Sequence, residues 1–243
     1  MYNSNMNFYI PYESPNIRYN FKVTHDQFGR YVPSHFHDES EIVVIKQFEK
    51  YMLEMVKCYP SSSYTMIELG SNQAYYSLMF HSILKKLGHS PVNILIEAQE
   101  ENLQRGVKHF ELNNFAAESR LYSIGTEQKA IDALATGFKD KAAEFCSQYV
   151  SNWRTLVDIF KEFGLDSIDV LHCDIDLCEG VMFETAKELF EQKKIKYIFL
   201  STHGEVLHEF SLKFLEDCGY EILLNHDSRF PPVGGDTVVI ARA

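Results

Sequence analysis

Apolar positions along this chain follow two alternating rhythms. Short, nearly unbroken runs of β-branched, aliphatic and aromatic residues occur at Tyr64–Leu69, Asn93–Ala98, Leu121–Ile124, Ile168–Ile175, Tyr197–Ser201, Tyr220–Asn225 and Thr237–Ala241. Runs of this length and composition read as strands covered on both faces. Between them lie segments with helical spacing. Glu41–Tyr59 is the clearest, with Ile42, Ile45, Phe48, Met52 and Met55 on one side. Further helices are expected from Ala74 to near Gly88, and over Gln99–Leu112, Glu127–Gln148, Asn152–Phe163, Val181–Gln192 and Glu205–Cys218. Asn72 and Ser151 or Asn152 offer N-caps, and Gly164 and Gly219 offer stops. Strands alternating with helices imply an α/β fold with right-handed crossovers. The expected core is a mostly parallel seven-stranded sheet with helices on both faces. The last two runs lack room for a helix between them, so the last strand should be antiparallel.

The ends of the chain modify this picture. Met1–Ser40 is rich in Tyr, Phe, Asn, Pro and His without a clear period, and reads as an irregular arm packed on the core. Residues 1–60 are therefore taken as the arm and its helix. Residues 61–243 form the α/β domain, with a helical insert at about 127–150 beside the sheet. The pair His35 and His37 lacks a third ligand in view and reads as structural. A rigid loop, Phe230–Gly235, precedes the last strand. With 45% hydrophobic residues, the 243-residue chain has enough apolar surface for one sizeable core. Its net charge of −11 and lack of Lys/Arg runs argue against a nucleic-acid partner. Met1–Asn7 has no secretory pattern, and no apolar run approaches the roughly 20 residues needed to span a bilayer, so no membrane association is expected. The five cysteines (Cys58, Cys146, Cys173, Cys178 and Cys218) have no metal-site spacing and read as free thiols in a reducing cytoplasm.

Three strands end in acids: Glu68, Glu97 and Asp174. In a parallel sheet these ends share the edge where ligands bind. Glu68 and Glu97 are one strand–helix–strand unit apart, which suits a nucleoside cofactor whose ribose hydroxyls a carboxylate can accept. The turn after the first strand discriminates between cofactors. A dinucleotide fingerprint needs GxGxxG so that the backbone can approach a pyrophosphate. Here the string is Gly70-Ser71-Asn72-Gln73-Ala74-Tyr75, with an acid two residues upstream. That acid repels a pyrophosphate and suits the amine and sulfonium of S-adenosylmethionine (SAM). Backbone N–H groups at the following helix start suit a carboxylate. The alternatives are a nicotinamide-dependent oxidoreductase on a related sheet and a non-catalytic cofactor-binding module.

These residues resemble the FkbM-type class I methyltransferases. Glu68–Leu78 (ELGSNQAYYSL) is similar to that family's DVGANxGYYS turn. Ile96–Gln104 (IEAQEENLQ), with Asn113-Asn114, resembles its EPxPxN…LN pattern, and Ile168–Gly180 (IDVLHCDIDLCEG) its IDLLKIDVEGAE segment. Tyr197–Tyr220, with STHGE and a GY ending, resembles the tail half. The match runs from about Tyr64 to Ala243. It departs from the pattern where Ala74 and Leu177 replace glycines, Asp176 replaces a glutamate and His172 stands for a lysine. The resemblance implies a class I, Rossmann-like methyltransferase domain and SAM-dependent transfer to an oxygen of a sugar, glycan or small natural product. By matching positions, Glu68 with Gly70, Ser71 and Asn72 would hold the methionine end, assisted by Ser77. Glu97 would bind the ribose, with Ala98 beside the adenine and the stretch Ser123 to Thr126, Gly125 included, lining the adenine side.

Methyl transfer to a hydroxyl requires alignment and loss of a proton. His203, just past the fifth strand, is the leading base, since a histidine can hold a proton near neutral pH. Asp174 would contact the cofactor, orient His203 or act as base itself. Asp174, Asp176 and His203, with Glu179, are also a candidate ligand set for Mg²⁺. His208 reads as a surface residue. His226, Asp227 and Asp236 flank the Pro-Gly-Gly loop as candidates for the acceptor pocket. Of Tyr75 and Tyr76, at least one should fill core.

Overall fold

The computed structural model of the chain describes residues 8–13, 18–23, 39–129, 132, 152–226 and 237–243. The expectations for His35, His37, most of the 127–150 insert, Cys146, Asp227, Asp236 and the Phe230–Gly235 loop lie outside these residues.

Seven strands form the central sheet: β3 (Ser63–Leu69), β4 (Ser90–Glu97), β5 (Glu118–Leu121), β8 (Ile168–Cys173), β9 (Ile195–Thr202), β10 (Glu221–His226) and β11 (Thr237–Arg242). Their spatial order is β10-β11-β9-β8-β3-β4-β5. The pairs β3/β4, β3/β8, β4/β5 and β8/β9 are parallel, whereas β11 runs antiparallel to both β9 and β10. This is the predicted mostly parallel sheet with an antiparallel last strand. The helices are α1 (Glu39–Cys58), α2 (Tyr75–Lys86), α3 (Glu100–Leu112), α4 (Leu156–Glu162), α5 (Glu179–Thr185), α6 (Lys187–Glu191) and α7 (Glu205–Asp217).

Period-two alternation along the strands sorts the core into two layers. Tyr64 and Met66 of β3 and Val170 of β8 pack on one face with Phe48, Met52 and Met55 of α1 and Leu78, Met79 and Ile83 of α2. Ile67, Leu69 and Leu171 face the other way, against Leu156, Ile159 and Phe160 of α4, Met182 and Phe183 of α5, and Leu215 of α7. Apolar burial on both faces explains why these strands read as continuous hydrophobic runs.

Four local expectations are corrected. Residues 8–13 and 18–23 of the arm form an antiparallel hairpin, β1 (Phe8–Glu13) and β2 (Arg18–Val23), whose second strand lies beside α2 and α3. Its aromatic and β-branched content supports a strand despite Pro11. The run 121–124 is divided: β5 ends at Leu121, and β6 (Ser123–Ile124) leaves the sheet to pair in parallel with β7 (Trp153–Arg154). Helix α4 consequently starts later than expected. Its N-cap is Thr155, whose side chain accepts from Asp158 N while the Asp158 carboxylate accepts from Thr155 N, at 3.1 and 3.0 Å. The segment 181–192 is two short helices, α5 and α6, with Ala186 between them.

Candidate active site

The strand order reverses direction between β3 and β8, and the crevice outside their carboxyl ends is where such sheets bind ligands. Gly70 makes that crevice possible. It has φ of +71°, and a Cβ there would lie 1.7 Å from the carbonyl oxygen of Asp174. Asp174 N in turn donates to Leu69 O at 3.0 Å, so the two strand ends are locked together. The crevice opens into a cleft at these strand ends. Gly70, Asn72, Glu97, Ala98, Ser123 and Asp174 line it, as the sequence suggested. So do Ile124, within the Ser123–Thr126 stretch expected on the adenine side, and Gln99, Asn102, Tyr122, Trp153, Ile175, Asp176 and Cys178, which the sequence does not assign to the cofactor. Trp153 escaped because its segment read as a helix, and β7 is what carries it to the wall.

Glu97 sits at the centre of the turn. Its Oε2 accepts from Asn72 N at 2.7 Å, and its Oε1 accepts from Ala98 N and Gln99 N, each at 2.9 Å. Burial pushes its pKa upward, and the three N–H donors oppose that shift. A carboxylate has about four acceptor positions, so Oε2 keeps capacity for a hydroxyl donor.

Several predicted cofactor residues occupy other places. Glu68 is on the β3 face that packs under α2, not on the cleft wall, because it alternates in phase with Tyr64 and Met66. Its Oε2 accepts from Ser77 N at 3.1 Å, in the first turn of α2. It thereby satisfies a helix N-terminus that has no side-chain cap of its own. Asn72 does not cap that helix: Ala74 is the N-cap, at φ 60°, the left-handed region that the glycine of the family pattern would favour. Four of the turn's N–H groups are also committed, Gly70 N and Ser71 N to Ile96 O, Asn72 N to Glu97 and Ala74 N to Ser71 O. They are therefore not an open anion cradle. Burial raises the Glu68 pKa to about 8 and lowers that of neighbouring His172 to about 3, which leaves a neutral pair 3.6 Å apart. Tyr76 stacks on His172 with ring centroids 4.1 Å apart, and neither Tyr75 nor Tyr76 lines the cleft. Ser71 and Ser77 are buried, and Gly125 packs against Val181. Thr126 is exposed, and its Oγ1 accepts from Lys129 N.

A second cluster adjoins the cleft. His203, at the end of β9, has Nδ1 2.8 Å from Oε1 of Glu179, a residue with no solvent exposure. His203 Nε2 lies 3.5 Å from Asp174 Oδ1 and 3.7 Å from Asp176 Oδ1. The sequence-predicted Asp174, Asp176 and His203 are thus brought together around one imidazole. His208 is buried rather than on the surface, held between Thr202 Oγ1 at 3.0 Å and Asn225 Oδ1 at 2.8 Å. Cys58, Cys173, Cys178 and Cys218 are free thiols, and burial pushes that of Cys173 up.

The sign of the cleft selects its ligand. Glu97, Asp174 and Asp176 line it, and no Lys, Arg or His is among the described lining residues. A pyrophosphate would be repelled, whereas a ligand bearing an amine and a sulfonium fits the donor set.

Comparisons with known proteins agree. The sequence model of the methyltransferase FkbM domain matches residues 68–222. The chain therefore belongs to the FkbM methyltransferase family and is a SAM-dependent methyltransferase. The methyltransferase FkbM from Methylobacillus flagellatus KT superposes with a TM-score of 0.52 at 16% identity, over 81% of this chain and 51% of that one. The N-terminal domain of human METTL16 gives 0.54 at 12% identity, over 92% of this chain and 75% of that one. At these identities the likeness concerns the fold, which is that of the class I methyltransferases. No curated protein matches the sequence. No described helix is long and apolar enough to cross a membrane.

Proposed function

We propose that the protein transfers the methyl group of SAM to a hydroxyl oxygen of a sugar, glycan or small natural product. The observation that carries this reading is the adjacency of the acidic, aromatic-walled cleft to the His203 cluster through one residue, Asp174, which belongs to both. SAM, when bound, supplies a methyl group activated by its sulfonium. Glu97 Oε2 is placed to accept from the ribose, and Tyr122, Ile124 and Trp153 offer the faces on which an adenine ring packs. Asp174 and Asp176 supply the negative potential that favours a cationic ligand at the β8 end. Loss of the acceptor's proton falls to the neighbouring centre. Glu179 engages Nδ1 of His203, so Nε2, on the side of Asp174 and Asp176, is the ring atom that acts there.

The test is a methyl-transfer screen with radiolabelled SAM against glycans and small hydroxylated metabolites. A labelled product from a hydroxylated acceptor, with turnover strongly reduced in His203→Ala at saturating substrate, is expected. Near-wild-type turnover in that variant would remove His203 from the chemistry. Labelling confined to acceptors without a hydroxyl would refute the oxygen assignment.

A further inference from the structure

We infer that Asn102 is a second ribose-binding residue of the cofactor cleft, taking the hydroxyl for which Glu97 has no acceptor position left. This deepens the proposed function and rests on its reading of the cleft as a SAM site.

The starting point is a count of acceptor positions. Even fully ionised, a carboxylate offers about four. Glu97 gives three of them to its own turn. Its Oε1 accepts from Ala98 N and Gln99 N, each at 2.9 Å, and its Oε2 accepts from Asn72 N at 2.7 Å. One position remains, on Oε2. The ribose of SAM carries two hydroxyl donors, at C2′ and C3′. Glu97 is buried and held by these three bonds. Turning it to meet both hydroxyls would leave a backbone N–H without its acceptor, at a cost larger than the bond gained. The second hydroxyl therefore needs another acceptor in the cleft.

Asn102 supplies one, by its position and by what its neighbours leave it. Both residues belong to one connection: Glu97 ends β4, Gln99 is the N-cap of α3 and Asn102 is the third residue of that helix. Glu97, Ala98, Gln99 and Asn102 all line the cleft. An acidic or amide side chain at the third helical position characteristically reaches back to the backbone N–H of the N-cap. Here Gln99 N already donates to Glu97 Oε1, and α3 has no side-chain cap. Asn102 instead donates from Nδ2 to Gln99 Oε1 at 3.2 Å. That contact braces the amide, and Oδ1 accepts from no described residue. Asp174 and Asp176 also line the cleft, but they follow β8, which β3 separates from β4 in the sheet. The proposed function places them at the cationic end of the cofactor.

The test is calorimetric titration of SAM and its 2′-deoxy and 3′-deoxy analogues into wild type, Asn102→Ala and Asp176→Asn. Asn102 is half-buried on a helix and alanine keeps the helix, so the variant should fold, as circular dichroism would confirm. Wild type should bind each analogue more weakly than SAM. Asn102→Ala should weaken SAM binding by about three- to tenfold. One of the two analogues should bind wild type and Asn102→Ala equally, because the hydroxyl that Asn102 meets is already gone. The other should show the same loss as SAM. Unchanged SAM affinity in Asn102→Ala, or an equal loss for SAM and both analogues, would overturn the inference and leave the cofactor reading standing. A hydroxyl-dependent loss in Asp176→Asn and none in Asn102→Ala would overturn it in favour of Asp176. Absence of SAM binding by wild type would overturn the cofactor reading and this inference with it.

Discussion

Replacing Glu68 with glutamine should stabilise the protein at neutral pH and leave SAM affinity within about threefold of wild type. The carboxyl group is buried on the core face of β3 and titrates at about 8 instead of its ordinary 4.5. Between those values the native state holds a proton that the unfolded chain has released, so stability falls as pH rises through this window. At about 1.4 kcal/mol per pH unit, the penalty is negligible below pH 4.5, about 3 kcal/mol at pH 7 and levels off near 5 kcal/mol above pH 8. Glutamine carries no proton to lose, so the advantage of Glu68→Gln should grow with pH over the same interval. His172 acts in the opposite sense. Its pKa is pushed down to about 3, so it lowers stability below about pH 6.5, but it does so in both proteins and largely cancels from the difference. Urea denaturation of wild type and variant at pH 5 and pH 8, with equal m-values, measures the effect. A difference that is flat with pH, or a variant less stable at pH 8 than wild type, would mean that Glu68 is ionised in the native state against a protonated His172. A tenfold loss of SAM affinity would return Glu68 to the cofactor's amine.

Gly70→Ala should destabilise the fold by about 2–5 kcal/mol in denaturant titration, through a methyl driven into the Asp174 carbonyl and a left-handed backbone; a change under 1 kcal/mol would show that the two strand ends can part freely. Trp153 is the sole tryptophan of the chain and lines the cleft, so SAM should produce a saturable change in intrinsic fluorescence. Trp153→Ala should cost about 1–3 kcal/mol of SAM binding by calorimetry, and a SAM-insensitive spectrum in a protein that binds SAM would place the adenine elsewhere. Thr155→Ala removes the capping box of α4 and should lower stability by about 1 kcal/mol, read from the urea midpoint; an unchanged midpoint would make that cap dispensable.

The sheet was legible because strands buried on both faces write themselves as apolar runs, and the acids at their ends stand out against that background. Glu97 and Asp174 were found on that basis, and both line the cleft. Glu68 shares the pattern yet faces the core. Position within the strand decides which side a residue takes, and the sequence alone does not say which face lies under α2. The 121–124 and 152–163 segments depart from their expected elements for a related reason. Two-residue strands such as β6 and β7 are too short for periodicity to register, and the parallel pairing that creates them joins segments some 30 residues apart. Trp153 was therefore invisible as a cleft residue until β7 placed it. The His203 cluster was half visible. Asp174, Asp176 and His203 could be drawn to one edge from topology, but the pairing of Glu179 with Nδ1 depends on where α5, of which it is the first residue, begins. Leu177 shows the converse: it stands where the family pattern has glycine and takes φ of 69°, the left-handed region that a glycine would favour.

On the proposed reading, the cleft at the β3, β4 and β8 ends holds SAM with Glu97 at its ribose. Calorimetric titration of SAM into wild type and Glu97→Ala, each checked for fold by circular dichroism, tests it most directly. Glu97 also accepts from three backbone N–H groups, so the variant should be less stable but still folded. One site per chain is expected in wild type, with a loss of tenfold or more in affinity in Glu97→Ala. No binding by the wild type, or unchanged affinity in the folded variant, would contradict it.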